Sequence, residues 1–216
     1  MRTEVKQLDN RTIHLTMHDV SVAVANSIRR AAIAMVPTMA IDAVFFYENS
    51  SVMNDQVLAH RLGLIPLTTN LEDYVPNDEC DCQSDYGCPK CSVTMTLDVA
   101  SVDDVKVVTS GDLVSQDSSV VPVTADIPIV KLAPGEKITT EMRALIRRGA
   151  WHAKWQPVSR AVAKEVNGGS SVLVLESLGQ LPPKELVLRS LSILSAKLGE
   201  LEGKLAIIQK RDEDDG

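Results

Sequence analysis

The chain has 216 residues, enough for one large domain or two small ones with real cores. Its 44% apolar and 24% charged residues are those of an ordinary globular protein, and a formal charge of −7 argues against broad adhesion to nucleic acid. No window approaches the ~18 apolar residues of a membrane helix, and MRTEVKQLDNRTIH lacks the apolar run of a signal peptide, so a cytoplasmic protein is expected.

In chain order, TEVKQL, the turn pair Asp9-Asn10 and RTIHLTM, with Ile13, Leu15 and Met17 alternating, predict a hairpin. A helix follows over VSVAVANSIRRAAIAM, with Asp19 as its N-cap and Val36-Pro37 as its stop. AIDAVFFYENSS reads as a strand, Asn54 caps a short helix DQVLAHRL, and Thr68 to Cys91 is loop. SVTMTLDV alternates Val93, Met95, Leu97 and Val99 toward one face; KVVTS and IPIVKL are shorter strands, and EKITTEMRALIRRG reads as a strand despite helix-compatible spacing. VSRAVAKEV and SVLVLES flank the hairpin signal Asn167-Gly168-Gly169.

All four cysteines lie in ECDCQSDYGCPKCS: Cys80, Cys82, Cys88 and Cys91. A disulfide framework would spread its cysteines along the chain, whereas C-x-C, five residues, then C-x-x-C makes two short chelating arms. A closed set of four thiolates suits structural Zn²⁺ and leaves no open catalytic position; an iron–sulfur cluster accepts the same ligands and is the second choice. Reduced thiols in a surface loop are the bland alternative. Asp78, Glu79, Asp81 and Asp85 crowd this negative site, with Lys90 the obvious compensating charge nearby.

After Pro182-Pro183, a long helix carries Val187, Leu191, Leu194, Leu198, Leu201, Leu205 and Ile208 in steps of 4, 3, 4, 3, 4, 3, a heptad seam. An amphipathic helix most often lies on its own sheet, but this seam is ~32 Å long, more than the width of a small sheet. Burying seven such side chains is worth on the order of 10 kcal/mol before ordering costs, so a partner surface is expected.

The runs VANSIRRAAIAMVPTMAIDAVFFYENSSVMNDQVLAHRLGLIPL, CSVTMTLDV, SGDL, DIPIVKL, HAKWQPV and ESLGQLPP resemble the D polypeptide of archaeal DNA-directed RNA polymerase. They are similar also to the third-largest subunit of eukaryotic RNA polymerase II and, more distantly, to the N-terminal domain of the bacterial alpha subunit. The resemblance implies an α+β fold: a discontinuous dimerisation domain of sheet plus long helices (1–45 and 150–216) and an inserted, mostly β domain (46–149) carrying the four-cysteine loop. It implies a non-catalytic transcription subunit that heterodimerises with the small subunit L through the helix Val20 to Met35 and the C-terminal helix. That pair would form the platform for the two largest subunits, beside other small polymerase subunits, meeting DNA only through the assembled complex. Arg29 and Arg30 are then candidates for contact with the second-largest subunit, and Asn26 in the same run joins the partner-binding set. Some archaeal members carry a ferredoxin-like cluster domain between the counterparts of HAKWQPV and ESLGQLPP; here only Ser159 to Leu175 lies between them, without cysteine, so that domain is expected to be absent.

No motif suggests catalysis by this chain itself. His14, His18, His60 and His152 are scattered, and no nucleophile elbow, phosphate-binding glycine loop or His-Glu-x-x-His is present. His14 and His18 are four apart, but a strand-to-loop position would keep them off one face. A zinc-containing nucleic-acid-binding module would need a basic stripe with aromatics, against 3% aromatic content and an acidic balance.

Overall fold

Alternation builds the N-terminal hairpin: β1 (Arg2–Gln7) runs antiparallel to β2 (Thr12–His18), and Ile13, Leu15 and Met17 are buried. A computed structural model describes residues 2–7, 9–166 and 169–214, the side chains of Gln7 and of residues 207–214 excepted. Asp9 ties the turn, its carboxylate accepting the backbone N–H groups of Arg11 and Thr12 at 2.7 Å each. These bonds, that of Arg11 first, hold its pKa below the ordinary carboxylate value. His14 and His18 both fall inside β2, so they do share a face, contrary to the expectation from sequence. At strand rise they stand ~13 Å apart, too far to share an ion.

The first helix, α1 (Val22–Ala34), buries Ala25, Ile28, Ala31 and Ala32. Its N-cap is Ser21, not the expected Asp19, which instead takes φ 59° in the turn leaving β2. Aspartate tolerates that left-handed conformation better than most residues. The next elements are β3 (Pro37–Asn49) and α2 (Asp55–Gly63), where Asn54 caps as expected by accepting the N–H groups of Gln56 and Val57. Then come β4 (Ser92–Ala100), β5 (Lys106–Thr109), β6 (Val114–Ser115), β7 (Pro128–Leu132) and β8 (Lys137–Arg148). The ambiguous EKITTEMRALIRRG segment is thus a strand, its two neighbours in the sheet deciding what spacing alone left balanced. β9 (Val158–Val166), β10 (Ser170–Ser177) and α3 (Pro183–Asp214) complete the α+β chain. β9 and β10 pair antiparallel; Asn167 and Gly168 of the expected turn lie outside the described residues.

Two compact units result. One comprises Met1–Val36, Val158–Ser177 and Pro182–Gly216, the other Pro37–Pro157 with Leu178–Leu181. In the first, an antiparallel sheet of order β1-β2-β10-β9 sets Ile13, Leu15 and Met17 opposite Leu175, Leu173 and Ser171, and α1 packs against β9, β10 and α3. In the second, a sheet of order β3-β8-β4-β6 and the pair β5-β7 enclose a core that includes Met39, Ile41, Leu58, Leu62, Met95, Leu97 and Met142. The HAKWQPV run supports this unit. Trp155 donates its indole N–H to Leu145 O at 3.0 Å, and Lys154 bonds Asp42 Oδ1 at 2.7 Å while lying over the Trp155 ring. Among the described residues, no helix is long and apolar enough to cross a membrane.

Candidate functional site

The long loop between α2 and β4 brings all four cysteines together. Cys80 and Cys82 follow a single 3₁₀ turn at Asn77–Glu79, while Cys88 and Cys91 sit on the turn that starts β4. There the N–H groups of Cys91 and Ser92 both bond Cys88 O, at 2.9 and 2.8 Å. The sulfurs of Cys80 and Cys88 are 3.7 Å apart, those of Cys82 and Cys91 3.7 Å, and those of Cys88 and Cys91 3.8 Å. All four lie within 4.8 Å of one another. Four sulfurs ~2.3 Å from one central ion in a tetrahedron stand ~3.8 Å apart, so the donor set fits a single tetrahedral ion. A cluster would distribute its thiolates over several iron atoms and hold them farther apart. Among the described residues, this is the one group of His, Cys, Asp or Glu side chains that could hold a metal ion.

The thiols differ electrostatically. The backbone N–H of Lys90 pulls the Cys88 pKa down to about 7, whereas burial pushes Cys91 up to about 12. Cys91 also accepts the backbone N–H of Cys88 at 3.2 Å and faces the Asn77 amide at 3.7 Å.

Lys90 is not the main local compensator that the sequence suggested. Arg148, at the end of β8, pairs with both Asp78 and Glu79, and Arg147 reaches Asn77 Oδ1 at 3.3 Å. These arginines are some 70 positions away in sequence, beyond any local charge pattern. Gly87, at φ +75°, closes the approach: a Cβ there would stand 2.6 Å from Leu145 Cδ2 and 2.7 Å from Ser92 Cβ.

The heptad seam divides along α3. Leu186, Val187 and Ser190 are buried in the chain's own unit, and Leu194 is half-buried. Leu191, Leu198, Leu201 and Leu205 are 43%, 66%, 53% and 52% exposed, a continuous wet stripe. Ile208 lies within the helix, but its side chain is outside the described residues. On α1, Arg29 Nε donates to Asn26 Oδ1 at 2.8 Å, so these two half-buried residues act as one unit; Arg30 is exposed. Val24, 50% exposed, adds an apolar residue to the same helix.

Residues 44–162 match the family described as the RNA polymerase Rpb3/RpoA insert domain. The chain is similar to proteins named DNA-directed RNA polymerase subunit Rpo3. The protein from Methanosarcina acetivorans is 42% identical over 156 residues, 72% of this chain and 58% of the relative. That from Pyrobaculum neutrophilum is 50% identical over 135 residues, 62% and 50%, and that from Pyrococcus horikoshii 40% over 186 residues, 81% and 66%. The chain therefore spans between half and two thirds of the length of these relatives. With the insert-domain match covering more than half of its residues, the chain belongs to the RNA polymerase Rpb3/RpoA family, in which its similarity is to the archaeal Rpo3 subunits.

Proposed function

We propose that this protein is a non-catalytic assembly subunit of DNA-directed RNA polymerase that pairs with the small subunit L through the distal half of α3 together with α1. The observation that carries this reading is the exposed stripe Leu191, Leu198, Leu201 and Leu205. Leaving four leucines wet on a helix is costly, and a partner helix with its own apolar seam removes that cost. The names of the relatives support the polymerase setting. On this reading residues 1–45 and 150–216 make the dimerisation domain and 46–149 the inserted domain, a division supported by the two compact units, of which the second comprises Pro37–Pro157 with Leu178–Leu181. Arg29 and Arg30 would then face the second-largest subunit, with Asn26, which accepts from Arg29, in the same partner-binding set, and the finished heterodimer would serve as the platform for both large subunits. Other small subunits would join that assembly, DNA would be met only through it, and the complex would work in the cytoplasm.

The cysteine loop takes a structural role. Cys80, Cys82, Cys88 and Cys91 would hold one Zn²⁺, which supplies folding energy to a loop with little burial of its own and does no chemistry on a substrate. Drop-out reconstitution tests the assembly role: without this chain, the two largest subunits should fail to co-purify as one complex with L. Normal assembly in its absence would refute it.

A further inference from the structure

The chain has two tryptophans, and both meet the same guanidinium. Arg147 Cζ stands 5.2 Å from the Trp151 ring centroid and 5.6 Å from that of Trp155, within cation–π range of each. Trp155 is buried, whereas Trp151 is 64% exposed. The guanidinium also lies 3.7 Å from Asp42 Oδ2. That carboxylate is pinned from another side by Lys154, which bonds Asp42 Oδ1 at 2.7 Å and Ile41 O at 3.0 Å. The remaining partner of Arg147 is Asn77, which comes from the cysteine loop.

Asn77 spans the two arms of that loop. It opens the 3₁₀ turn that precedes Cys80, and its side chain reaches Cys91 on the second arm. The amide nitrogen faces Ser84 O at 3.1 Å and Cys91 Sγ at 3.7 Å, while Oδ1 accepts from Arg147 at 3.3 Å. Chemistry fixes this orientation: a flipped amide would set its oxygen against a carbonyl and a sulfur, and its NH₂ against a guanidinium. An N–H aimed at a metal-bound thiolate is a charge-assisted donor that holds the ligand in place. The same amide plane therefore joins the sulfur to the arginine that sits on both tryptophans. Every residue in this chain of contacts belongs to the compact unit Pro37–Pro157.

We propose that Asn77 is a positioning residue of the metal site, which orients Cys91 through its amide N–H and, through Arg147, couples metal occupancy to the setting of Trp151 and Trp155. The proposal rests on the zinc reading of the four cysteines. Coupling of this kind is reciprocal: if metal fixes Arg147 through Asn77, Arg147 must in turn favour retention of the metal.

The test is a zinc titration of the full, metal-free chain, followed by tryptophan emission and, separately, by competition with a chelator. Zn²⁺ has a filled d shell and no redox chemistry, so an emission change reports movement around the rings. A saturable step ending near about one equivalent of zinc is expected for the wild type. Asn77→Leu should still bind zinc through its four cysteines, about tenfold more weakly, and without the emission step. Asn77→Asp keeps the acceptor for Arg147 but sets a carboxylate oxygen against the sulfur, so it too should lose metal retention. Arg147→Gln should weaken retention by less than Asn77→Leu, and the double variant should lose no more than Asn77→Leu alone. Zinc binding with no emission step in the wild type, a step that survives in Asn77→Leu, wild-type retention in Asn77→Asp, or additive losses in the double variant would overturn the proposal and leave the zinc reading intact. A wild-type chain that binds no zinc would overturn both.

Discussion

The sulfurs of Cys82 and Cys91 lie 3.7 Å apart across the loop, the separation that two ligands of one tetrahedral ion require. Protein purified anaerobically is therefore expected to carry about one zinc per chain by elemental analysis. Removing the metal with a chelator should make residues 68–91 protease-sensitive, because few apolar contacts hold them otherwise. Iron at stoichiometric level, or no metal at all, would contradict the zinc assignment.

Arg148 balances the acidic residues just ahead of Cys80, so it belongs to the outer shell of the site. Replacement by Ala should weaken metal retention by about tenfold in competition with a chelator, the lower end of outer-shell effects. Because Glu79 is largely exposed, the loss of global stability should be below ~1 kcal/mol. Retention equal to wild type would show that the pairing is incidental.

Two glycines with similar positive φ should respond differently to alanine. Gly135, at φ +83°, has nothing within 4 Å of a new Cβ, so Gly135→Ala should cost only the conformational term, about 1 kcal/mol. Gly87→Ala adds collisions with Leu145 and Ser92 and should cost about 2 kcal/mol or more. Equal losses in denaturant melts would mean that the loop does not press on β8 as described.

Tyr74 donates to Asp117, and burial first, then this bond, raises its pKa from 10.0 to about 12. The folded state therefore keeps a proton that the unfolded state releases. Its contribution to stability is present below pH 10.0 and is lost as pH rises toward 12. Ultraviolet titration of wild type minus Tyr74→Phe should show the missing phenol ionising near pH 12; a missing transition near 10.0 would contradict the assignment.

Sequence carried the periodic features well and the long-range ones poorly. The alternation of Val93, Met95, Leu97 and Val99 and the cap at Asn54 follow from neighbours a few residues apart, and the structure has them. Bunching of the cysteines was enough to indicate their proximity, because two short arms joined by a five-residue loop have little freedom to separate. The heptad spacing revealed the stripe on α3 but not the point near Ser190 where the chain's own core stops covering it, which depends on the sheet and α1. Arg148 at the cysteine loop and the Phe45–Tyr86 contact join distant segments and left no local pattern. Asp19 misled because aspartate serves both as a helix cap and as a left-handed turn residue.

The most direct test of the central claim is the mass of the soluble species formed when the chain is co-expressed with the small polymerase subunit L, measured by light scattering after gel filtration. A 1:1 heterodimer is expected for the wild type, and its loss for Leu198→Asp combined with Leu201→Asp, since both side chains are more than half exposed and their charges would meet only the partner. A wild-type chain that elutes as a monomer beside L, or a double variant that still co-elutes with it, would contradict the account.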